Sequence, residues 1–578
     1  MLIKGNGFLQ WRLSVLALGL VASFHSAALA APACEQVFAE KQASATLDLL
    51  KNPQLTALLQ KELITYAMAI LKTDPREVIA TKNLSPRAVR DLGETPTTRQ
   101  EAIVLKALAE LVDSKQLPQA LELLVAKATE KADSVPQLAI LKNLPPEKKQ
   151  FVLATLEEGL TGLVQMRGLS KATKGTTYVE WAELSRRMVK KVDQSPDNFL
   201  HFSKNDWVRT EKVEVLVDGP ASFALREKLI GEAKKSVDVV TWSIYDDMTG
   251  FSSVQSLIQK KNANVKVRAI VDGQVARRPG HSQAVRQLEE AGIEVIRWFS
   301  KDNPFQGQHR KMIIVDGEHV IAGGLNMGDV YSHKNSDPKV AKWRDTDIYI
   351  KGDGANQARR LFADLWNEQV ATHSLGFARA VKPALLKKSS QGMDVSIIES
   401  NPTKNTEGSP IMLTLLKGIR DAKKSVDIEN AYIILFPALK SEIQAAIARG
   451  VNVRVLTNSN KSVDEPIVSI PILRSAQELA EVGAHVYLKK GDTLHSKFVV
   501  IDGEYSVIMS YNLHPRSERM EGEMAVVVKS REFADNMKTV FDRDIHQDKA
   551  EFVANPESIV FPPDFTSLGT LRLFFDLL

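Results

Sequence analysis

The chain has 578 residues, 75 Lys plus Arg against 70 Asp plus Glu, 44% hydrophobic and 25% charged residues, and one cysteine. At roughly 100–200 residues per domain this is a multidomain globular protein, not a disordered or collagen-like one. A lone cysteine excludes an internal disulfide, a zinc finger and a cysteine-held iron–sulfur cluster, and a net charge of +5 is too small for whole-molecule attraction to nucleic acid.

Residues 1–30 read as a secretory signal peptide. Lys4 and Arg12 precede the apolar run Leu13 to Phe24, and Ala28-Leu29-Ala30 supplies small residues for cleavage. A membrane-spanning helix needs about 18 apolar residues or more, and His25 and Ser26 interrupt this run too early. A periplasmic or secreted protein is expected. Anchoring as a lipoprotein through Cys34 is the less favoured outcome, because Ala31-Pro32-Ala33 fits that lipidation motif poorly.

Residues 31–195 are predicted to form a helical N-terminal domain, with apolar residues at three- and four-residue spacing such as Leu55, Leu58, Leu59, Leu63 and Tyr66. Prolines 53, 75, 86, 118, 136 and 145 mark joints between short helices. After about Leu200 the pattern changes to β-type runs alternating with helices, which predicts an α/β sandwich. That pattern occurs twice. Ala233-Lys234-Lys235-Ser236-Val237-Asp238 recurs unchanged as Ala422-Lys423-Lys424-Ser425-Val426-Asp427, and Val267-Arg268 returns as Val453-Arg454. Two tandem domains, 196–390 and 391–550, followed by an apolar tail, 551–578, explain this best.

The repeat carries chemistry. His309, Lys311, Asp316 and Asn326 have the same spacing as His495, Lys497, Asp502 and Asn512. Side chains two apart on a strand share a face, so each His should lie beside its Lys. Each Asp-Gly pair, Asp316-Gly317 and Asp502-Gly503, signals a hairpin turn. Two ammonium groups and two amides suit the oxygens of a phosphodiester and the charge added as a fifth ligand arrives. One neutral imidazole can attack phosphorus while the other, protonated, gives its proton to the leaving oxygen, since histidine's pKa of about 6.5 allows both forms. A metal site fits less well, because a lysine beside each histidine opposes a cation. No metal or other cofactor is expected.

These residues resemble the phospholipase D superfamily, whose signature is two His-x-Lys-(x4)-Asp motifs, present here as His309 to Asp316 and His495 to Asp502. The resemblance covers about residues 212–549. It implies a pseudo-dimer of two α/β sandwich lobes, the motifs meeting at one site, with no complete site in either half. Gly323 to Asp329 and Trp343-Arg344-Asp345 look like the first half of cardiolipin synthases and related transphosphatidylases, and Asn512, Arg516-Ser517 and Glu523 like the second. The resemblance implies His309, Lys311, Asn326, Asp345, His495, Lys497, Asn512 and Glu523 as catalytic residues, with Asp345 and Glu523 orienting the histidines. It implies a structural role for Asp316 and Asp502, substrate binding by Gly324, Ser510, Arg344 and Arg516, and, by the usual order, His309 as nucleophile. One departure is visible: second-half patterns commonly read Asn-x-Glu, whereas Glu521 precedes Gly522-Glu523 here.

The function expected is an exported phospholipase D-type phosphodiesterase or phosphatidyltransferase. It would act on glycerophospholipids through a phosphohistidine, with water or an alcohol as acceptor and transient contact with a membrane surface. A metal-independent phosphodiesterase or endonuclease is the alternative, though nucleic acid is not the expected partner. A third reading is a catalytically inactive protein that binds phosphate or lipid.

Overall fold

Two sheets with the same internal order build the computed structural model, which describes residues 178–301, 306–384, 392–405, 407–465 and 468–561. The expected signal peptide, most of the expected helical N-terminal domain (residues before Tyr178) and the tail beyond 561 lie outside the described residues. Among the described residues no helix is long and apolar enough to cross a membrane.

The first sheet runs Lys212–Val217, Thr346–Lys351, His319–Gly323, Met312–Val315, Ser236–Thr241, Lys266–Asp272, Glu294–Trp298. The second repeats this as Met393–Ser400, Glu521–Lys529, Tyr505–Met509, Lys497–Ile501, Ser425–Asn430, Asn452–Asn458, His485–Lys489, with short edge strands Val208–Thr210 and Ala550–Phe552 added. In each sheet three strands are parallel and joined through helices, while the motif strand and its successors are antiparallel. The duplication seen in the sequence is therefore a duplication of topology, and the fold is a pair of tandem α/β sandwich lobes.

Both lobes lie within one compact unit, residues 180–561. A single apolar cluster joins them. Val240, Ile314 and Ile348 of the first sheet and Val500, Ile508 and Val526 of the second pack with Phe362 and Trp366 of helix Ala355–Thr372 and Phe533 and Phe541 of helix Arg531–Asp544. Burial of this continuous apolar surface, worth roughly 25 cal/mol per Å², is the main force fixing one lobe on the other.

The repeated hexapeptide has two structural uses. Its aspartate, Asp238 or Asp427, forms a two-pronged ion pair with the arginine of the Val-Arg repeat on the adjacent strand: Arg268 at 2.7 and 2.9 Å, Arg454 at 2.6 and 2.8 Å. Its Lys-Lys-Ser backbone N–H groups donate to the motif aspartate, Asp316 or Asp502, at 2.6–3.1 Å. Both motif aspartates sit at positive φ, 53° and 55°, each followed by glycine at positive φ, as a tight hairpin turn requires. Partial burial alone would raise the Asp316 pKa, but the three N–H donors outweigh it and lower it. Its contribution to stability is thus present above the ordinary carboxylate range and is lost as pH falls through it. Asp316→Ala and Asp502→Ala should each cost about 2 kcal/mol in denaturant titrations, with turnover per folded molecule unchanged.

Candidate active site

The two histidines lie just ahead of the motif strands, and each is hydrogen-bonded to the other lobe. The His309 backbone N–H donates to Gly522 O at 2.9 Å, and Gly307–Gln308 pairs with Glu521–Gly522 as a parallel ribbon. The His495 backbone N–H donates to Arg344 O at 2.7 Å, beside a parallel bridge between Arg344 and Leu494.

The orienting acids are exchanged in the same way. His309 Nδ1 is 3.0 and 3.1 Å from the two Glu523 oxygens, and His495 Nδ1 is 2.6 Å from Asp345 Oδ2. A carboxylate partner makes Nδ1 the protonated nitrogen of a neutral ring and leaves Nε2 with the free lone pair. The acids are themselves held. Ser510 and Ser517 hydroxyls donate to Glu523, and the Thr346 N–H donates to Asp345. Gly324 leaves the room this requires, since a Cβ there would lie 2.0 Å from Asp345 Oδ1.

Lys311 and Lys497 are buried beside their histidines, Lys311 Nζ donating to His309 O at 2.7 Å and Lys497 Nζ lying 3.0 Å from His495 Nδ1. Burial lowers the two ammonium pKa values to about 7 and about 8 despite the nearby carboxylates. Lys311 acts electrostatically on Asp345 and His495, and Lys497 on Asp345 and Glu523, so the two sets share one centre. Asn326 donates from Nδ2 to the Tyr331 hydroxyl at 3.0 Å, while the buried Asn512 side-chain carbonyl has no hydrogen-bond partner. The two histidines, the two lysines and the acids Asp345 and Glu523 therefore share one centre, with Asn326 beside it through Tyr331 and Asn512 through its backbone bond to Ser517, and Asp316 and Asp502 stand apart from it in their turns.

The four expected substrate-binding residues are placed differently. Arg344 does not reach toward a ligand. Its guanidinium is buried between the lobes, 2.5 Å from Asp544, 3.3 Å from Glu429 and 3.4 Å from Asp218, with a further bond to Thr346 at 2.8 Å. Four acceptors on fixed elements outcompete a diffusing ligand for that fork. Ser510 binds Glu523 and Gly324 makes space for Asp345, so both support the acids. Arg516 binds Glu521 at 2.9 Å and keeps about a third of its side chain exposed.

Other parts were less legible. Trp343 stacks on His495 with centroids 5.5 Å apart, and the buried Tyr331 meets the same ring edge-on at 5.1 Å. Trp242, Tyr432 and Asp464 also border the centre; no motif marked them. The ligand atoms of His309, Glu521 and Glu523 lie within 4.8 Å of one another, a span that could hold a metal ion. Those carboxylates already accept from Arg516, Ser517, Ser510 and His309, so the donor set suits hydrogen bonding better than coordination.

A two-lobed enzyme with a duplicated histidine–lysine–asparagine centre is the class this geometry defines. Residues 227–366 and 415–545 match the family model described as cardiolipin synthase, PLD-like domain. The chain is 30% identical over 346 residues to cardiolipin synthase A of Pseudomonas putida (strain W619), covering 58% of this chain and 69% of that one. It is 29% identical over 355 residues to the major cardiolipin synthase ClsA of Bacillus subtilis (strain 168), covering 60% and 72%. Among solved structures, a phosphatidylserine synthase of Haemophilus influenzae shares the fold, with a TM-score of 0.53, 14% identity and coverage of 67% of this chain and 97% of that one. The chain belongs to the phospholipase D superfamily, among its cardiolipin synthase-like members, and is a phospholipase D-like enzyme.

Proposed function

We propose that this enzyme is an exported phosphatidyltransferase of glycerophospholipids that works through a phosphohistidine. The observation that carries the chemistry is the reciprocal pairing of two imidazoles with acids from opposite lobes, beside two buried lysines. The names of the relatives favour a lipid phosphodiester as substrate, and the signal-like N-terminus favours export to the periplasm or beyond. Lys311, Lys497, Asn326 and Asn512 hold the phosphate oxygens and receive charge in the transition state. One imidazole takes the phosphatidyl group, the other protonates the departing alcohol, and water or a second alcohol then releases the product. Water gives phosphatidic acid; a glycerol-type acceptor gives a transferred lipid.

Lipid mass spectrometry of the processed protein with mixed phospholipids, with and without added alcohol, tests this. Phosphatidic acid, and a phosphatidyl-alcohol when alcohol is present, are the expected products, formed equally well in chelator. Unchanged lipids would refute the proposal.

The pH profile should follow the buried groups. Burial raises Asp345 to about 6, against the pull of Lys497 and other donors, so acid below that value removes the acceptor that orients His495. On the other side, Lys311 and Lys497 lose their charge as pH rises through about 7 to 8. In kinetic assays across pH, kcat/KM should therefore be bell-shaped with apparent limbs near those values. A bound phosphodiester anion favours the charged lysines, so the alkaline limb of kcat should lie higher.

A further inference from the structure

We propose that the second-motif histidine, His495, attacks phosphorus and the first-motif histidine, His309, protonates the leaving oxygen, with Glu521 as the positioning residue that sets this polarity. The inference rests on the phosphodiester reading above and adds a direction to it. It also reverses the order that the family resemblance implies.

The two imidazoles have matched partners but unmatched surroundings. His309 Nδ1 faces two carboxylates: Glu523 at 3.0 Å and Glu521 Oε2 at 3.9 Å. Glu521 does not drift, because Arg516 Nε donates to one oxygen at 2.9 Å and Ser517 Oγ lies 3.0 Å from the other. The same Ser517 hydroxyl lies 2.8 Å from Glu523, so one short helix, Pro515–Arg519, locks both acids against the ring. At His495 Nδ1 there is one carboxylate, Asp345, and the Lys497 ammonium lies 3.0 Å away. A proton added to His309 enters a doubly anionic environment; one added to His495 is set against an adjacent cation.

The remaining charged groups do not reverse this. Around His309 stand Lys311, the Trp242 ring, Arg516, already paired with Glu521, and His514, which burial lowers to about 4 and so leaves neutral. Around His495 stand Lys311, His309 and Asp464, with the Tyr331, Trp343 and Tyr432 rings. Burial first and then Lys497 push His495 well below the usual imidazole range, and Asp464 opposes them less strongly. A ring kept neutral offers a lone pair; a ring facing two acids offers a proton.

The step balances. The Nε2 lone pair of His495 forms the N–P bond as the P–O bond to the headgroup alcohol breaks, and the departing oxygen takes its electron pair and the proton of the His309 imidazolium. Neutral His309 then accepts a proton from water or an acceptor alcohol, whose oxygen bonds to phosphorus as the N–P bond breaks. Glu521 keeps its charge throughout and compensates the imidazolium that is regenerated.

Two measurements decide the matter. A short-chain phospholipid is reacted with the intact enzyme for a single turnover, quenched in alkali because phosphohistidine is acid-labile, and the protein is mapped by peptide mass spectrometry. The phosphatidyl adduct is expected on the peptide bearing His495; an adduct on His309 would overturn the assignment. Separately, a phosphodiester with a p-nitrophenol leaving group, which needs no proton, is given to His309→Ala and His495→Ala. His309→Ala should release a burst of nitrophenolate and accumulate adduct, whereas His495→Ala should do neither, and the opposite pattern would sink the proposal. Glu521→Gln should slow alcohol-leaving substrates about 10- to 100-fold and leave the nitrophenyl ester nearly unaffected, with recovery in Glu521→Asp. Equal loss on both substrates would deny Glu521 its positioning role. No adduct and no nitrophenolate from the unaltered enzyme would overturn the phosphodiester reading itself, and the division of roles with it.

Discussion

His309→Ala and His495→Ala, assayed separately on a natural phospholipid, should each lower turnover by at least about 10³-fold, and the double variant should be little worse than either single one. The reason is geometric. Each ring is oriented by an acid from the opposite lobe and lies in the field of the other motif's charged groups, so they form one unit, not two half-active sites. Steady-state lipid assays check this, with far-ultraviolet circular dichroism to confirm folding. If one variant kept near-normal activity, the shared centre would be wrong. The loss should persist at saturating substrate, because the missing group acts in the bond-breaking step and contributes little to ground-state binding.

The second large effect is on stability. Arg344→Ala should cost about 3–5 kcal/mol in denaturant unfolding, because it removes the guanidinium shared by buried Glu429 and Asp544 and leaves Asp544 only the half-exposed Arg543. Glu429 is fully buried, and burial lifts this carboxyl to about 8 even with Arg344 and the Ser496 hydroxyl beside it. Removing the guanidinium takes away its main compensation. Arg344→Lys should recover only part of the loss, since a single ammonium cannot address Asp544, Glu429, Asp218 and Thr346 together. A surface change such as Lys538→Ala, at a half-exposed pair, serves as the control and should move stability by less than about 1 kcal/mol.

Much of this was readable from the chain alone, for identifiable reasons. The doubled His-x-Lys spacing, the Asp-Gly turns and the repeated hexapeptide are local patterns, and local patterns survive in one dimension. The partners of Asp238 and Asp316 lie in the same repeat unit, so duplication of the sequence already implied duplication of the contacts. The exchange of acids is not local. Glu523 reaches His309 across 214 positions and Asp345 reaches His495 across 150, and only the family resemblance suggested those partners. Arg344 shows the opposite failure. An arginine next to an orienting acid reads as a ligand for anionic substrate, but a long side chain has a wide reach, and no spacing rule shows that it turns toward Asp544, 200 positions away. Glu521 was visible as a departure from pattern, yet its bearing on His309 depended on knowing where Arg516 and Ser517 hold it.

The crossed pairing of each imidazole with the opposite copy's acid has a bearing on ancestry. A single-repeat forerunner could have worked only as a homodimer, with both halves bound by symmetry to carry the same acids and the same proton affinities. Fusion of two copies in one chain lifted that constraint. In this chain one half supplies aspartate and the other glutamate with a second acid beside it, so the two rings are no longer equivalent.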